Sequence, residues 1–269
     1  MKIGCVVVLY KPDLKVVKNI ASYPKNLDNI ILVDNSENNN DFLFKNILGE
    51  SITYKSLGRN TGISHALNEG IKLAMPYVDF IITMDQDSLL TEDIINVYKK
   101  FINNFSGKVP YALTPKYNTD RHTEKRGTGY EYVNLSMQSG TLFSKKIFSE
   151  IGFFDESLFI DVVDWEFFLR MSKNGCKLIR CNEAVLNHNP AKTKSKRFLL
   201  FTLRYGVASP TRYYYQARNL LIVARKYKNP RLYLTVFIKY LKIVLLFDNK
   251  VEYLRYFKRG LRDARTGRK

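Results

Sequence analysis

The sequence predicts an α/β protein with a mixed, mostly parallel central sheet flanked by helices, followed by a basic helical segment. Apolar, β-favouring runs alternate with stretches of helical periodicity over the first hundred residues, as in consecutive parallel strand–helix–strand units. Two of these runs end in acidic and amide side chains, where open α/β sheets bind ligands. Charge divides the chain, because residues 1–191 contain 22 Lys and Arg and 22 Asp and Glu, whereas residues 192–269 contain 21 and 3.

Composition limits the class of protein. With 269 residues, 45% of them apolar, the chain is long enough for one sizeable domain with an appendage. Cys5, Cys176 and Cys181 are odd in number and form no CxxC pair, which argues against a disulfide framework or structural zinc and predicts a reducing, cytoplasmic setting. The first apolar run lacks a signal-peptide cleavage site, and no run reaches the roughly 18 uncharged apolar residues of a spanning helix.

The elements of residues 1–191 follow from hydrophobic periodicity and from the positions of Gly and Pro. The predicted strands are residues 3–9, 29–33, 52–57, 79–84, 111–114, 130–135, 138–144, 176–180 and 184–186, with 130–135 and 138–144 antiparallel. The predicted helices are residues 14–22, a helix ending near residue 75, then 91–103, 145–151 and 163–173. A polar loop over residues 117–129 interrupts this order.

The strand at residues 79–84 leads directly into Asp85-Gln86-Asp87. Because side chains alternate along an extended chain, Asp85 and Asp87 should project to the same side, where both can reach one cation, or a cation and a sugar hydroxyl. Such oxygen ligands suit Mg²⁺ or Mn²⁺. The alternative is a surface turn with two solvated acids, followed by a helix capped at Thr91.

Two further segments are typical of ligand-binding loops. Asp34 and Asn35 follow the second strand, although Asp-Asn-Ser also ends strands for purely local reasons. The loop after the third strand is bracketed by glycines and lacks the P-loop and dinucleotide spacings. A nucleotide could still approach its backbone closely at Gly62.

Asp164 lies in the first turn of a predicted helix among bulky apolar neighbours. Burial would raise its pKa and the helix N-terminus would lower it, so a base at neutral pH is possible. The alternative is that Asp161 or Asp164 caps the helix while Glu166 reaches Arg170. His188 follows the last strand, where it could complete a Mn²⁺ or Mg²⁺ site or simply be a satisfied surface residue.

The ordered motifs together resemble a known family more specifically than any one of them does. They are Val-Asp-Asn-Ser at residues 33–36, Gly-x-Asn-x-Gly at 58–62, Asp-x-Asp-Ser at 85–88, Ser-Gly-x-Leu at 139–142 and Asp-x-Val-Asp-x-Glu-Phe-x-x-Arg at 161–170. The chain resembles the inverting family 2 glycosyltransferases of the GT-A (nucleotide-diphospho-sugar transferase) fold, and looks most like bacterial rhamnosyltransferases. The similarity runs from Val6 to about His188 and continues into residues 209–219. The charge division places the boundary of the GT-A catalytic domain, residues 1–191, before the basic segment.

The resemblance also implies residues for the donor nucleotide and the metal. The base or ribose would meet Asp34 and Asn35, with Asn60 and Gly62 beside them. Asp85 would meet the ribose or the metal. The ligands of the metal that bridges the diphosphate would be Asp87 and, where relatives place a histidine, His188.

The resemblance assigns the proton transfer to Asp164, as general base in a single displacement that inverts the anomeric carbon. Arg212 or Arg218 would help to neutralise the diphosphate. The chain departs from the usual Glu-Asp pair at this point, because Val163 precedes Asp164. Whether Asp161 shares the base role is therefore open.

The basic segment, residues 192–269, contains an apolar run at residues 232–247 that Lys239 and Lys242 interrupt. This spacing predicts a helix in the interface of an anionic membrane, or a helix packed on the body with its cations in water. Nucleic-acid binding is not expected, because no recognisable nucleic-acid module accompanies the charge.

We therefore expect a metal-dependent glycosyltransferase that uses dTDP-L-rhamnose to extend a lipid-linked or cell-surface polysaccharide, peripheral on the inner face of the cell membrane. Another nucleotide sugar such as a UDP-hexose is the alternative donor. A haloacid dehalogenase-type phosphatase would have its Asp-x-Asp near the N-terminus and a later Asp-Asp pair, and this chain has neither. A noncatalytic basic adaptor would leave the acidic residues without a common purpose. The sequence predicts no oligomeric state.

Overall fold

The fold comes from a computed structural model, which describes residues 1–105, 107, 109–121, 123–188, 192–197 and 202–267. The strands are β1 Ile3–Leu9, β2 Asn29–Asp34, β3 Ile52–Ser56, β4 Phe80–Asp85, β5 Tyr111–Asn118, β6 Tyr130–Tyr132, β7 Thr141–Ser144, β8 Lys177–Asn187, β9 Lys192–Arg197 and β10 Thr202–Val207. The helices are α1 Leu14–Ala21, α2 Asp41–Phe44, α3 Ile63–Ala74, α4 Glu92–Asn104, α5 Lys145–Ile151, α6 Val163–Lys173, α7 Pro210–Lys226, α8 Pro230–Leu246 and α9 Lys250–Thr266.

The central sheet confirms the predicted mixed, mostly parallel arrangement. Its order among the described residues is β3-β2-β1-β4-β7-β5-β8-β6, and β3, β2, β1 and β4 are mutually parallel. Leu9 is in register with Asp34, and the preceding Val8 is in register with Asp85. The acidic ends of β2 and β4 are therefore level with each other, on either side of the end of β1.

The second half of the sheet differs from the prediction in its pairing. Strands β6 and β7 are both antiparallel to their neighbours, but β7 lies between β4 and β5 whereas β6 pairs with β8 at the edge. Residues 138–140 precede β7 and are not part of it. The two short strands predicted at 176–180 and 184–186 are one strand, β8. Its register with β5 shifts between Arg180 and Val185, and Asn182 exchanges backbone hydrogen bonds with Gly127 and Gly129 there, so the strand continues through its polar residues.

The two faces of the sheet carry separate hydrophobic cores, as alternation along the strands requires. Val6 and Val8 of β1 belong to the core that is covered by α3, α5, α6 and α7. Cys5 and Val7 point to the opposite face and pack with α1 and α4. The acidic strand ends therefore emerge from a sheet that is buried on both sides, which fixes their positions.

The basic segment is not wholly helical, which corrects the prediction. It begins with the antiparallel hairpin β9–β10, whose alternating basic residues give it no apolar periodicity to detect. Helix α7 contributes Leu220, Val223 and Ala224 to the core under the sheet. The boundary predicted between residues 191 and 192 lies beside residues 189–191, which are outside the described residues. None of the helices in the described part of the chain is long and apolar enough to cross a membrane.

Candidate functional site

A cavity of about 480 Å³ lies at the carboxyl ends of β1 and β4, between the sheet and helices α6, α7 and α8. The structure brings eight of the predicted site residues to its wall: Asn35, Asn60, Gly62, Asp85, Asp87, Asp164, His188 and Arg212. Two predicted residues, Asp34 and Arg218, do not line it. One space thus contains amides from two loops, acids from two elements, an imidazole and a guanidinium.

Asp85, Asp87 and His188 form a group that could hold a cation. Asp85 ends β4, Asp87 follows it, and His188 is the residue after β8. One potential ligand atom from each lies within 4.8 Å of the other two. Two carboxylates and an imidazole form a donor set that suits Mn²⁺ or Mg²⁺, so the residues present fit the predicted ion. Burial raises the pKa of Asp85, and the nearby Asp87 adds to this rise.

Buried hydroxyls behind this group orient it. The Asp85 backbone amide donates to the Ser139 hydroxyl (3.1 Å), which donates to the Ser88 hydroxyl (3.1 Å). Ser88 in turn lies 2.6 Å from Nδ1 of His188, and Gln138 donates to Asp85 Oδ1 at 2.6 Å. These four contacts were not predicted, although the serines of the Asp-x-Asp-Ser and Ser-Gly-x-Leu motifs could have indicated the contacts that involve Ser88 and Ser139.

The two loops predicted to meet the nucleotide are joined through their amide side chains. Asn35 donates to the Asn60 side-chain oxygen at 3.2 Å and accepts from the Thr61 amide at 2.8 Å. Gly62 has a φ of 86°, and a Cβ at this position would lie 2.6 Å from the carbonyl oxygen of Phe159. Glycine is therefore required twice here, by the backbone conformation and by the close approach of the loop before α6.

Asp34 lies behind the cavity wall and is fully buried. Its carboxylate accepts hydrogen bonds from the Ser36 amide (3.0 Å), from the Asn40 side chain (2.8 Å) and from the Tyr54 hydroxyl. These bonds fasten the loop after β2. A direct contact between Asp34 and a ligand would require one of these donors to be displaced, and the predicted contact with a base or ribose stays a prediction.

Asp164 occupies the first turn of α6 and faces the cavity. Burial raises the pKa of this carboxyl to about 7, with Asp85 and Asp161 adding to the rise and the Trp165 amide opposing it. A carboxylate with a pKa near neutrality can accept a proton at physiological pH and is a stronger base than a solvated aspartate.

The segment before Asp164 has an unusual backbone. Phe159, Asp161 and Val162 all have positive φ values of 56°, 63° and 68°. Such values are uncommon outside glycine and are costly for a β-branched residue such as Val162, so they persist where surrounding contacts impose them. The strained backbone ends where α6 begins and thereby sets the direction in which Asp164 projects.

Helix α7 supplies the contacts that hold this segment. Arg212 makes a two-pronged ion pair with Asp161, at 3.0 and 2.6 Å. The fully buried Asn219 amide donates to the carbonyl oxygens of residues 158, 160 and 161, at 2.6, 2.8 and 3.0 Å. Arg218 donates to the Ser157 carbonyl at 3.1 Å and to the Asn219 side chain at 2.8 Å. Arg218 therefore contacts the loop before α6, away from the cavity, and its predicted contact with a diphosphate stays a prediction.

Glu166 is fully buried and takes no place in the cavity. It pairs with Arg170 at 2.9 Å, as the i, i+4 spacing predicts, and also with Lys226 at 2.8 Å. This group ties α6 to α7, so the acidic residue two positions after Asp164 is structural.

Lys239 and Gln216 are cavity residues that the sequence analysis did not identify. Lys239 belongs to α8, which was predicted to lie in a membrane interface or, as the alternative, to pack on the body with its cations in water. In the structure it faces inward, and its ammonium donates to the Gln216 side-chain oxygen at 2.9 Å. Lys242 also faces inward and donates to the Gly206 carbonyl.

Comparison with known proteins agrees with this geometry. The sequence pattern of Glycosyl transferase family 2 matches residues 14–168. The chain is 29% identical over 278 residues to the dTDP-rhamnosyl transferase RfbF of Shigella flexneri, covering 94% of this chain and 92% of that protein.

Among solved structures, that of GalNAc-T7 with UDP, GalNAc and Mn²⁺ is similar, with a TM-score of 0.61 and 13% identity. The match covers 98% of this chain and 56% of that one, so this chain spans little more than half the length of that structure. At such low identity the likeness concerns the fold alone, and it supports the predicted GT-A fold. Because the family pattern covers more than half of the chain and includes Asp85, Asp87 and Asp164, the chain belongs to glycosyl transferase family 2.

Proposed function

We propose that this enzyme is an inverting rhamnosyltransferase that transfers L-rhamnose from dTDP-L-rhamnose to a hydroxyl of a saccharide acceptor. One observation carries the proposal: a single cavity contains both a cation-binding group and, separately, an aspartate whose pKa is raised to neutrality. The similarity to the dTDP-rhamnosyl transferase of Shigella flexneri supports the choice of donor. The family is at odds with the alternatives of a phosphatase and a noncatalytic adaptor.

Each group in the cavity has a role in this reaction. Asp85, Asp87 and His188 would hold Mn²⁺ or Mg²⁺, which when bound supplies positive charge against the diphosphate leaving group. Asn35 and Asn60 present amide groups to the nucleotide, and Gly62 lines the same space. This division leaves Asp164 for the acceptor.

The proposed chemistry is a single displacement. The acceptor oxygen forms a bond to the anomeric carbon from the face opposite the nucleotide, the bond from that carbon to the diphosphate oxygen breaks, and the acceptor proton passes to the Asp164 carboxylate. Arg212 holds both oxygens of Asp161, which favours Asp164 over Asp161 for this task. Attack from the face opposite the nucleotide inverts the configuration at the anomeric carbon.

The donor is tested with a panel of nucleotide sugars. Thermal shift and calorimetry with dTDP-L-rhamnose, dTDP-glucose and UDP-hexoses, each with and without Mn²⁺, should show tightest binding of dTDP-L-rhamnose in the presence of the ion. Stronger binding of a UDP-hexose would favour the alternative donor. Analysis of the product's anomeric configuration tests inversion, and retention would contradict the single displacement.

The pH dependence of the reaction should report Asp164. Since the base must be deprotonated and its pKa is raised to about 7, kcat/KM should fall about tenfold per pH unit below pH 7 and level off above it. Initial rates at saturating Mn²⁺ between about pH 5.5 and 8.5 measure this profile. A flat profile below pH 7 would exclude Asp164 as the titrating base.

We also propose that helix α8 rests on the inner face of the cell membrane, where a lipid-linked acceptor would be found. Leu234, Phe237, Ile238, Leu241 and Leu245 recur at helical spacing on one side of α8 and are 37% to 59% exposed. The opposite side of the helix carries buried residues and Lys239. An apolar stripe on a surface helix is typical of a protein that lies in a membrane interface.

The charges around the stripe suit an anionic membrane. Arg231 is exposed at the start of α8, and Lys196 of β9 donates to the Leu245 carbonyl at its end. Helix α8 contains no acidic residue. Each cation near an anionic leaflet contributes about 1 kcal/mol, in addition to the burial of the apolar side chains.

Substitution within the stripe should release the enzyme from vesicles. Phe237→Glu combined with Ile238→Glu is expected to lower partitioning onto phosphatidylglycerol vesicles by at least about tenfold, because two apolar contacts are replaced by negative charges that the anionic lipids repel. Co-sedimentation measures the effect, with Tyr77→Glu as the matched control. Tyr77 is 68% exposed and precedes the amino end of β4, away from the carboxyl ends that form the cavity. An equal loss in the control, or none in the double variant, would contradict the proposal.

A further inference from the structure

Two cations lie on the helical wall of the cavity, which is on the side of α8 that faces away from its exposed apolar stripe. Arg212 projects from α7 and Lys239 from α8, and both line the cavity. Asp161 is the carboxylate that accompanies them, and Arg212 holds both of its oxygens. Two positive charges and one negative charge leave this part of the wall with a net positive charge.

The environment of Lys239 is unusual for a lysine. Burial lowers the pKa of its ammonium, as does the neighbouring Arg212, while Asp161 opposes the change. Its ammonium donates a hydrogen bond to the neutral Gln216 side-chain oxygen, and no carboxylate of the described residues lies within 4.0 Å of its nitrogen. An ammonium has three N–H donors, so this contact leaves capacity for a ligand. Removing such a cation from water is costly unless a partner compensates for it.

We propose that Lys239 joins Arg212, for which the resemblance already implies a diphosphate contact, to form an anion subsite in the cavity that takes a phosphate or diphosphate group of a bound substrate. The inference rests on the proposed transferase function, because both substrates of that reaction can carry such a group. It could belong to the nucleotide diphosphate of the donor or to the diphosphate through which a lipid bears its saccharide. The chemistry that the subsite recognises is the same in either case.

The position of Arg212 supports this inference. Its charge acts on both Asp85 and Asp164, so the guanidinium lies within electrostatic reach of the candidate cation group and of the candidate base. The charge of Arg212 would therefore attract an anionic group attached to either reacting substrate. Gln216 connects the two cations. Its side-chain oxygen accepts from Lys239 at 2.9 Å, and its side-chain nitrogen donates at 3.3 Å to Asp161, which pairs with Arg212.

A matched pair of lysines on one helix tests the subsite. Lys239→Met removes the ammonium and keeps the apolar stem, whereas Lys239→Arg keeps a positive charge. Lys242→Met is the control, because Lys242 lies on the same helix, donates to the Gly206 carbonyl and does not line the cavity. Thermal unfolding of each variant shows whether it is folded before binding is measured.

Calorimetric titration with two probes separates the sources of the anion. dTDP in the presence of Mn²⁺ represents the donor, and farnesyl diphosphate represents a lipid diphosphate. Lys239→Met should weaken at least one probe by about tenfold or more, as expected for a lost hydrogen bond to a charged group, while Lys239→Arg retains most of the affinity and Lys242→Met all of it. Loss for dTDP assigns the donor, and loss for farnesyl diphosphate assigns the acceptor.

The subsite would be overturned if Lys239→Met bound both probes as the wild type does, or if Lys242→Met weakened them equally. These outcomes are distinct from failure of the proposed function. If the proposed function failed, the wild type would transfer no rhamnose from dTDP-L-rhamnose, whatever its affinity for farnesyl diphosphate. Transfer by the wild type with unchanged binding in Lys239→Met would retain the function and remove the subsite alone.

Discussion

Asp164→Asn is expected to lower the rate of sugar transfer by about 10²–10⁴-fold while donor affinity stays near the wild-type value. The amide is similar in size to the carboxylate and can still accept the Trp165 hydrogen bond (2.9 Å), but it cannot take a proton from the acceptor hydroxyl. Removing a charge that burial disfavours should also leave stability unchanged or slightly increased. Single-turnover transfer and calorimetric titration with dTDP measure the two quantities separately.

The matched control for this substitution is Asp93→Asn, which changes an exposed acid of α4 that pairs with Arg126. This variant should transfer the sugar at the wild-type rate, and its kcat/KM should still fall below about pH 7, as in the wild type. Near-normal transfer by Asp164→Asn would move the base elsewhere. Asp161 would then be examined, although its pairing with Arg212 argues against it.

Asp87→Ala should abolish the Mn²⁺ dependence of donor binding and weaken dTDP binding by at least about a hundredfold. Loss of an outer partner of a metal ligand commonly costs 10- to 100-fold in metal affinity, so loss of a ligand itself should cost no less. Asp87 is suited to this test because its side chain is 58% exposed, whereas removal of Asp85 would also release Gln138. Titration with dTDP in Mn²⁺ and in EDTA measures the effect.

Electron paramagnetic resonance measures Mn²⁺ binding directly and so separates lost affinity for the ion from lost affinity for the nucleotide. Asp93→Ala, an exposed acid outside the cavity, serves as the control. Wild-type Mn²⁺ affinity together with full turnover in Asp87→Ala would remove this residue from the metal site.

The residues that sequence could place are those at the ends of strongly patterned strands. Asp85 and Asp87 follow a run so apolar that it had to be a buried strand, and parallel pairing then fixes the edge at which they emerge. Asn35 follows from the same reasoning, whereas Asn60 was predicted from the family resemblance. Asp34 shows the limit of prediction from the strand pattern, because alternation places a residue at an edge without showing whether its carboxylate faces a ligand or its own loop.

The helical wall of the cavity could not be found in this way. The periodicity of α8 identifies an amphipathic helix, but it does not indicate which side packs against the body. The sequence therefore predicted Lys239 either at a membrane interface or in water, whereas Lys239 lines the cavity and the apolar side of α8 is exposed. The contacts of Asn219 are equally invisible, since they join residues about sixty positions apart and leave no local pattern.

The contacts of Asn219 have a consequence for how this enzyme can be divided. The family pattern ends at residue 168, and it includes the acids but not the α7 side chains that hold the loop beside them. Helix α7 also fills the core under the sheet. A chimera that joined residues 1–191 of this chain to another enzyme's tail would carry every acidic group of the cavity and lose the support that aims Asp164. The unit that can be exchanged between such enzymes therefore extends at least through Asn219.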